Sequence, residues 1–163
     1  MPRAAKPPPE LPCILVDTRE QLPLTRYFTG AVAVQSGVTL PTGDYSVRGF
    51  THCCAFERKS LADLVMSCAS KERERFEDCL TRLSKLEHKA IVVESTQADV
   101  WASAYRSQAT PQSIIGSTWA FLQRWGIHTE WAGNARGAAR FIEWYALRLV
   151  KQEKAKAKMK ESA

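Results

Sequence analysis

No stretch of the chain approaches the ~20 uncharged apolar residues that a helix needs to cross a bilayer, which excludes a helical membrane span. The opening, MPRAAKPPPE, lacks the apolar core of a signal peptide, so the expectation is a soluble protein that is not exported and has no membrane partner. Cysteines are few: five, at 13, 53, 54, 68 and 79, an odd number with no CxxC pair. That excludes a disulfide framework, and three of them lie in apolar stretches where a thiol packs like a small hydrophobe, so all five read as reduced, buried or inert. Histidine is scarcer still, and His52, His88 and His128 are too scattered for the close ligand spacing of structural zinc. No internal repeat is present.

What remains is one domain's worth of chain. The 163 residues, 45% hydrophobic and 25% charged, suit a single soluble core and leave no room for a second large domain. The net charge of +6 sits mostly at the ends. Residues 151–163, KQEKAKAKMKESA, carry a surplus of three positive charges, and Arg3 and Lys6 outweigh Glu10 in the first ten residues. Basic ends on a nearly balanced body suit tethering to a polyanion such as DNA, or else a solvated tail. The expected organisation is a proline-rich extended arm over 1–10, a domain over 11–150 and a lysine-rich tail over 151–163.

Along the body the hydrophobic period changes once. CILVDTRE reads as a buried strand delivering charge at its C-terminal edge, and AVAVQSGVTL, TGDYSVRG and CCAFERK read as further strands, with Gly30, Gly37 and Gly43 as turns. After Lys59 the spacing becomes helical. Ser60 caps a helix bearing Leu61, Leu64 and Val65, and KERERFEDCLTRLSKLEH continues with Phe76, Cys79, Leu80 and Leu83 on one face. KAIVVES is a strand, 97–104 a short helix, and Thr110-Pro111 opens a helix running through Ile115, Trp119 and Leu122 to Trp125. GIHTEWAG is a last strand, followed by a helix with Ala139, Ile142, Ala146 and Leu149 in one stripe. The fold class is therefore α/β, a mixed central sheet flanked by helices.

Asp17, Glu20, Asp44, Glu57 and Asp63 all fall at strand ends or strand-to-helix junctions, where such sheets present catalytic groups. Carboxylates about 5 Å apart repel by about 3 kcal/mol at an effective dielectric near 20, so converging acids call for a cation. Oxygen ligands favour Mg2+ or Mn2+, which bind through one or two carboxylates plus substrate phosphate. Residues two apart on a strand share a face, so Glu57 can hold the metal while Lys59 reaches the same phosphate. That pattern points to phosphodiester hydrolysis.

Gly43-Asp44, Glu57-Arg58-Lys59 and Asp63 together resemble the GD…ERKxxxD signature of the XPF family of structure-specific nucleases, to which Hef belongs. Val16-Asp17-Thr18-Arg19-Glu20 is similar to that family's VDxRE opening, and the likeness runs from about Cys13 to Glu94. The resemblance implies a restriction-endonuclease-like core that cuts flapped, forked or branched DNA. It implies Asp44 and Glu57 as metal ligands with Glu20 and Asp17 completing the acidic pocket, and the Arg58 carbonyl as a third ligand. Lys59 would position the water, and the Arg58 side chain would pair with an acid of the pocket or with phosphate. Asp63 belongs to the signature, yet a capping partnership with Ser60 explains it equally well. Many relatives add a helix-hairpin-helix module or a helicase, for which this chain has no room.

Arg75 and Arg19 are the expected DNA contacts, although acids on the same helix offer Arg73, Arg75 and Arg82 surface pairs instead. The five tryptophans could stack on unpaired bases, but most are expected in the core or at a contact between two copies of the chain. A catalytically silent relative that binds branched DNA, or pairs with an active nuclease, is the alternative; it would have lost the carboxylates or the lysine that this chain keeps. The expected setting is the cytoplasm of a bacterial or phage-infected cell, or the nucleus of a eukaryotic one.

Overall fold

The computed structural model describes residues 11–69 and 71–161, and the expected arm over 1–10 lies outside them. Strand β1 (Cys13–Asp17) is buried along its whole length, as the unbroken apolar run CILV requires of a central strand. Beside it lie β2 (Ala33–Val38), parallel, and β3 (Tyr45–Val47), antiparallel. Then follow β4 (Cys54–Lys59), β5 (His88–Val93) and β6 (His128–Trp131), giving a six-stranded mixed sheet in the order β2-β1-β3-β4-β5-β6. The expected mixed sheet flanked by helices is what the chain forms.

Helices cover both faces. On one, α1 (Leu61–Ala69), α2 (Glu72–Leu83), α3 (Gln97–Trp101) and α4 (Pro111–Trp125) bury Leu64, Phe76, Leu80, Val100, Ile115 and Phe121 against Ala55, Ile91 and Val93. On the other, α5 (Ala135–Glu161) lays Ala138, Ala139, Ile142, Ala146 and Leu149 against Ile14, Val16, Phe56 and Val92. The strand period of two does the sorting: along β4, Cys54 and Phe56 join the α5 side, and Ala55 joins the α1–α2 side.

Several expectations shift. Gly37 is no hairpin turn: it lies inside β2 at φ 74°, where the register with β1 slips by one residue and bulges the exposed edge strand. The helix expected over 97–104 stops at Trp101, with a capping box between Thr96 and Asp99 at its start. Helix α4 buries Ile115 as expected, together with Ile114, Ser117, Thr118 and Phe121, and leaves Trp119 and Leu122 exposed. This is tolerated because Ser117 and Thr118 return their hydroxyls to the helix's own carbonyls of Ser113 and Ile115. Trp101 and Trp144 are exposed too, so three of the five tryptophans are not core residues. Finally, α5 runs unbroken through the lysine-rich stretch to Glu161.

Candidate active site

The site begins at Gly43. Its φ of 74° is a left-handed conformation, and a Cβ there would sit 2.9 Å from the Phe56 carbonyl oxygen, so only glycine lets the chain pass this close to β4. The close pass is used at once: the Asp44 N–H donates to the Phe56 carbonyl at 2.8 Å, and the Arg58 N–H donates to Asp44 Oδ2 at 2.8 Å. Asp44 is thereby clamped beside Glu57.

Alternation along β4 then sends Glu57 and Lys59 to the side occupied by α1 and α2, and Arg58 to the opposite side. Lys59 Nζ lies 3.5 Å from Glu57 Oε1 and rests over the Phe76 ring, 4.5 Å from its centroid. The Cys79 thiol donates to Glu57 Oε2 at 3.4 Å. Asp44, Glu57 and Lys59 line a cleft of about 320 Å3 together with Arg19, Thr42, Arg75 and Arg82.

Electrostatics in the cleft are unbalanced. Burial, the nearby Glu57 carboxylate and, more weakly, Glu20 push the Asp44 carboxyl up to about 7 against the Arg58 N–H bond that favours its ionised form. Burial and Glu57 likewise push the Cys79 thiol up to about 12, so it stays a neutral donor. Thr42 Oγ1 is buried in the cleft with no hydrogen-bond partner among the described residues. A buried carboxyl that burial and a neighbouring carboxylate hold in its protonated form, beside an orphaned hydroxyl, fits a hard divalent cation. Among the described residues no three of His, Cys, Asp and Glu come together, so an ion held by Asp44 and Glu57 would keep most of its waters.

The other expected residues are placed elsewhere. Asp17 does not join the cleft: it is buried, and its oxygens accept from Arg19 Nε at 2.6 Å and the Leu40 N–H at 2.7 Å. Burial opposes its ionisation, but those hydrogen bonds outweigh it and hold the carboxyl below the ordinary range. The Arg58 guanidinium faces away from the cleft and bridges Glu20 Oε1 at 3.1 Å and Glu94 Oε1 at 2.7 Å, tying the ends of β1, β4 and β5 together. Glu20, also held by the Tyr45 hydroxyl at 3.3 Å, touches the cleft only through its field on Asp44. Asp63 is exposed and exchanges hydrogen bonds with Ser60, accepting its hydroxyl at 2.7 Å, so the capping explanation accounts for it. Arg75 reaches the cleft mouth with only a 3.8 Å pair to Glu72, whereas Arg73 is engaged by Glu77.

Cys79, Phe76 and Thr42 were not anticipated as site residues. Helical spacing alone puts Cys79 and Phe76 on the inward face of α2, and nothing in the sequence tells which inward residues meet β4.

The ERCC4 domain family model matches residues 16–144. Two solved structures of XPF from Aeropyrum pernix are similar. One, in complex with DNA, superposes with a TM-score of 0.68 at 25% identity, over 86% of this chain and 66% of that one. The other gives 0.65 at 24% identity, over 90% and 69%. No curated protein matches. The chain thus spans about two thirds of the length of those structures.

Proposed function

The chain belongs to the ERCC4 domain family, and on that premise we propose that it is a divalent-metal-dependent endonuclease hydrolysing phosphodiester bonds in flapped, forked or branched DNA. The observation that carries the reading is the convergence of Asp44, Glu57 and Lys59, from a loop and a strand, on one cleft bordered by arginines. The DNA bound to the Aeropyrum pernix relative supports DNA as the ligand here.

Asp44 and Glu57 would hold Mg2+ or Mn2+, which supplies the positive charge that acidifies a water and polarises the phosphate. The chain's own groups do the rest. The Arg58 N–H fixes one Asp44 oxygen and leaves the other for the cleft. Lys59, seated on Phe76 beside Glu57, presents its Nζ to orient the attacking water and offset charge developing on the phosphate. Cys79 steadies Glu57, while Arg19, Arg75 and Arg82 lie where flanking phosphates would pass. The Arg58 side chain is a positioning residue, holding Glu20 and Glu94 behind the cleft.

With Mg2+ or Mn2+ the purified protein should cut labelled flap or splayed-arm DNA, whereas Asp44→Asn and Lys59→Ala should bind it and cut at least about 100-fold more slowly, the scale of a missing transition-state donor. Equal cutting by all three proteins would overturn the site. Binding without cutting by the wild type would instead place the chain among the silent members.

A further inference from the structure

On the α5 side of the sheet, away from the cleft, a second pocket of about 210 Å3 opens between the 3-10 turn Leu24–Tyr27 and the first turns of α5. Arg26, Arg136 and Arg140 line it, and among the described residues none of the three has a carboxylate partner within salt-bridge distance. By contrast, Arg19, Arg58, Arg73, Arg75 and Arg124 are each paired with an acid. Three guanidinium groups around one concavity, against the single carboxylate of Glu143, leave a focused positive surplus.

The pocket is also walled by flat rings. Arg26 lies 4.7 Å from the centroid of Tyr27, and Arg140 lies 5.7 Å from that of Trp144. Trp144 is 60% exposed. A large exposed indole beside unpaired arginines forgoes burial that a helix on a hydrophobic sheet normally takes, and it offers a platform on which an aromatic ligand can stack. The one acid in the pocket, Glu143, is 4% exposed and is held by the Thr29 N–H at 2.6 Å and the Thr29 hydroxyl at 2.7 Å. Its bonds pin the loop to α5 and fix the pocket's shape.

Arginines that grip phosphates beside rings that stack bases are the two components of a single-strand binding surface. A duplex keeps its bases stacked inside and cannot lay one on Trp144, whereas an unpaired strand can. We propose that this pocket binds an unpaired DNA strand, phosphates on Arg26, Arg136 and Arg140 and a base on Trp144. The inference rests on the nuclease reading and extends it, because it gives the chain a means of holding one arm of a forked substrate. The geometry permits this: Leu24 N–H donates to the Tyr45 hydroxyl, which donates to Glu20, so the loop bearing Arg26 is anchored behind the cleft. The six residue steps from Glu20 to Arg26 span at most about 22 Å, the rise of roughly six base pairs.

The test is binding by fluorescence anisotropy, with chelator present so that nothing is cut, on a labelled thymidine oligonucleotide, a splayed-arm DNA and a blunt duplex. Trp144→Ala should weaken binding of the oligonucleotide and the splayed arm about tenfold, Trp144→Phe should restore most of it, and the duplex should be unaffected. The double variant Arg136→Gln/Arg140→Gln should lower the log-log salt slope on the oligonucleotide by about 0.7 for each phosphate no longer neutralised. Equal weakening on all three ligands, or none, would overturn the proposal. So would a change of solution mass in the variants with DNA affinity intact, which would give the pocket to a second copy of the chain. A wild type that binds the oligonucleotide through Trp144 but cuts nothing would refute the nuclease reading and leave the pocket standing.

Discussion

At the scale of the residue, Asp44 carries the tension of the site. With chelator present, the folded protein retains a proton on Asp44 up to about pH 7, while the unfolded chain releases it near 3.8. The folded state therefore binds the extra proton across that window, and stability falls as pH rises through it. Urea titrations should show the wild type losing about 4 kcal/mol relative to Asp44→Asn between the two values. Asparagine keeps an acceptor for the Arg58 N–H but cannot ionise. Above pH 7, Mg2+ or Mn2+ should raise the wild-type melting temperature more than that of Asp44→Asn. Parallel pH curves for the two proteins would mean that neither burial nor the neighbouring Glu57 raises the Asp44 carboxyl.

At the scale of the element, two helical glycines have opposite roles. A Cβ on Gly137, in the first turn of α5, would lie 1.8 Å from the Ala132 carbonyl oxygen, a backbone atom that cannot turn aside. A Cβ on Gly116, inside α4, would meet nothing within 4 Å. Gly137→Ala should cost about 1–3 kcal/mol by displacing the start of α5, whereas Gly116→Ala should add about 0.5–1 kcal/mol of helix propensity. Urea midpoints read both, and a neutral Gly137→Ala would show that α5 slides freely on β1. Helix legibility has the same basis. The caps Ser60 and Thr110 and the α5 stripe were readable because they depend on neighbours three or four residues away. The face of α4 was not fully legible, since rotating it by one residue exchanges Trp119 for Thr118, and the surfaces of α1, α2, α3 and β6 packed against it decide which is buried.

At the scale of the whole molecule, charge lies at both ends of α5: Arg136 and Arg140 at its start, and the lysines from 151 onward along its exposed last turns. The continuous helix turns the expected tail into a rigid basic rod. Replacing Lys151, Lys154, Lys156 and Lys160 by glutamine should weaken duplex binding and lower the salt slope by about 0.9 for every phosphate that those lysines had neutralised. An unchanged slope would make the rod a solvated surface with no part in DNA binding.

The sequence by itself determined the class of fold, the lack among the described residues of a helix long and apolar enough to cross a membrane, and the side of β4 on which Glu57 and Lys59 emerge. Each follows from composition or from a period of two or 3.6 residues, properties a segment has before it folds. The family resemblance carried by GD, ERK and VDTRE fits the matching family model. Tertiary structure alone decided which acids share the cleft. Asp17 and Glu20 looked equivalent three residues apart, but one is paired with Arg19 and accepts from the Leu40 N–H, and the other is paired with Arg58, 38 positions away. Cys79 reached Glu57 across 22 positions, and Arg26 met Arg140 only because the 3-10 turn packs on α5. A carboxylate's charge state depends on whatever the fold brings within a few ångströms of it, and at those separations local periodicity carries no information.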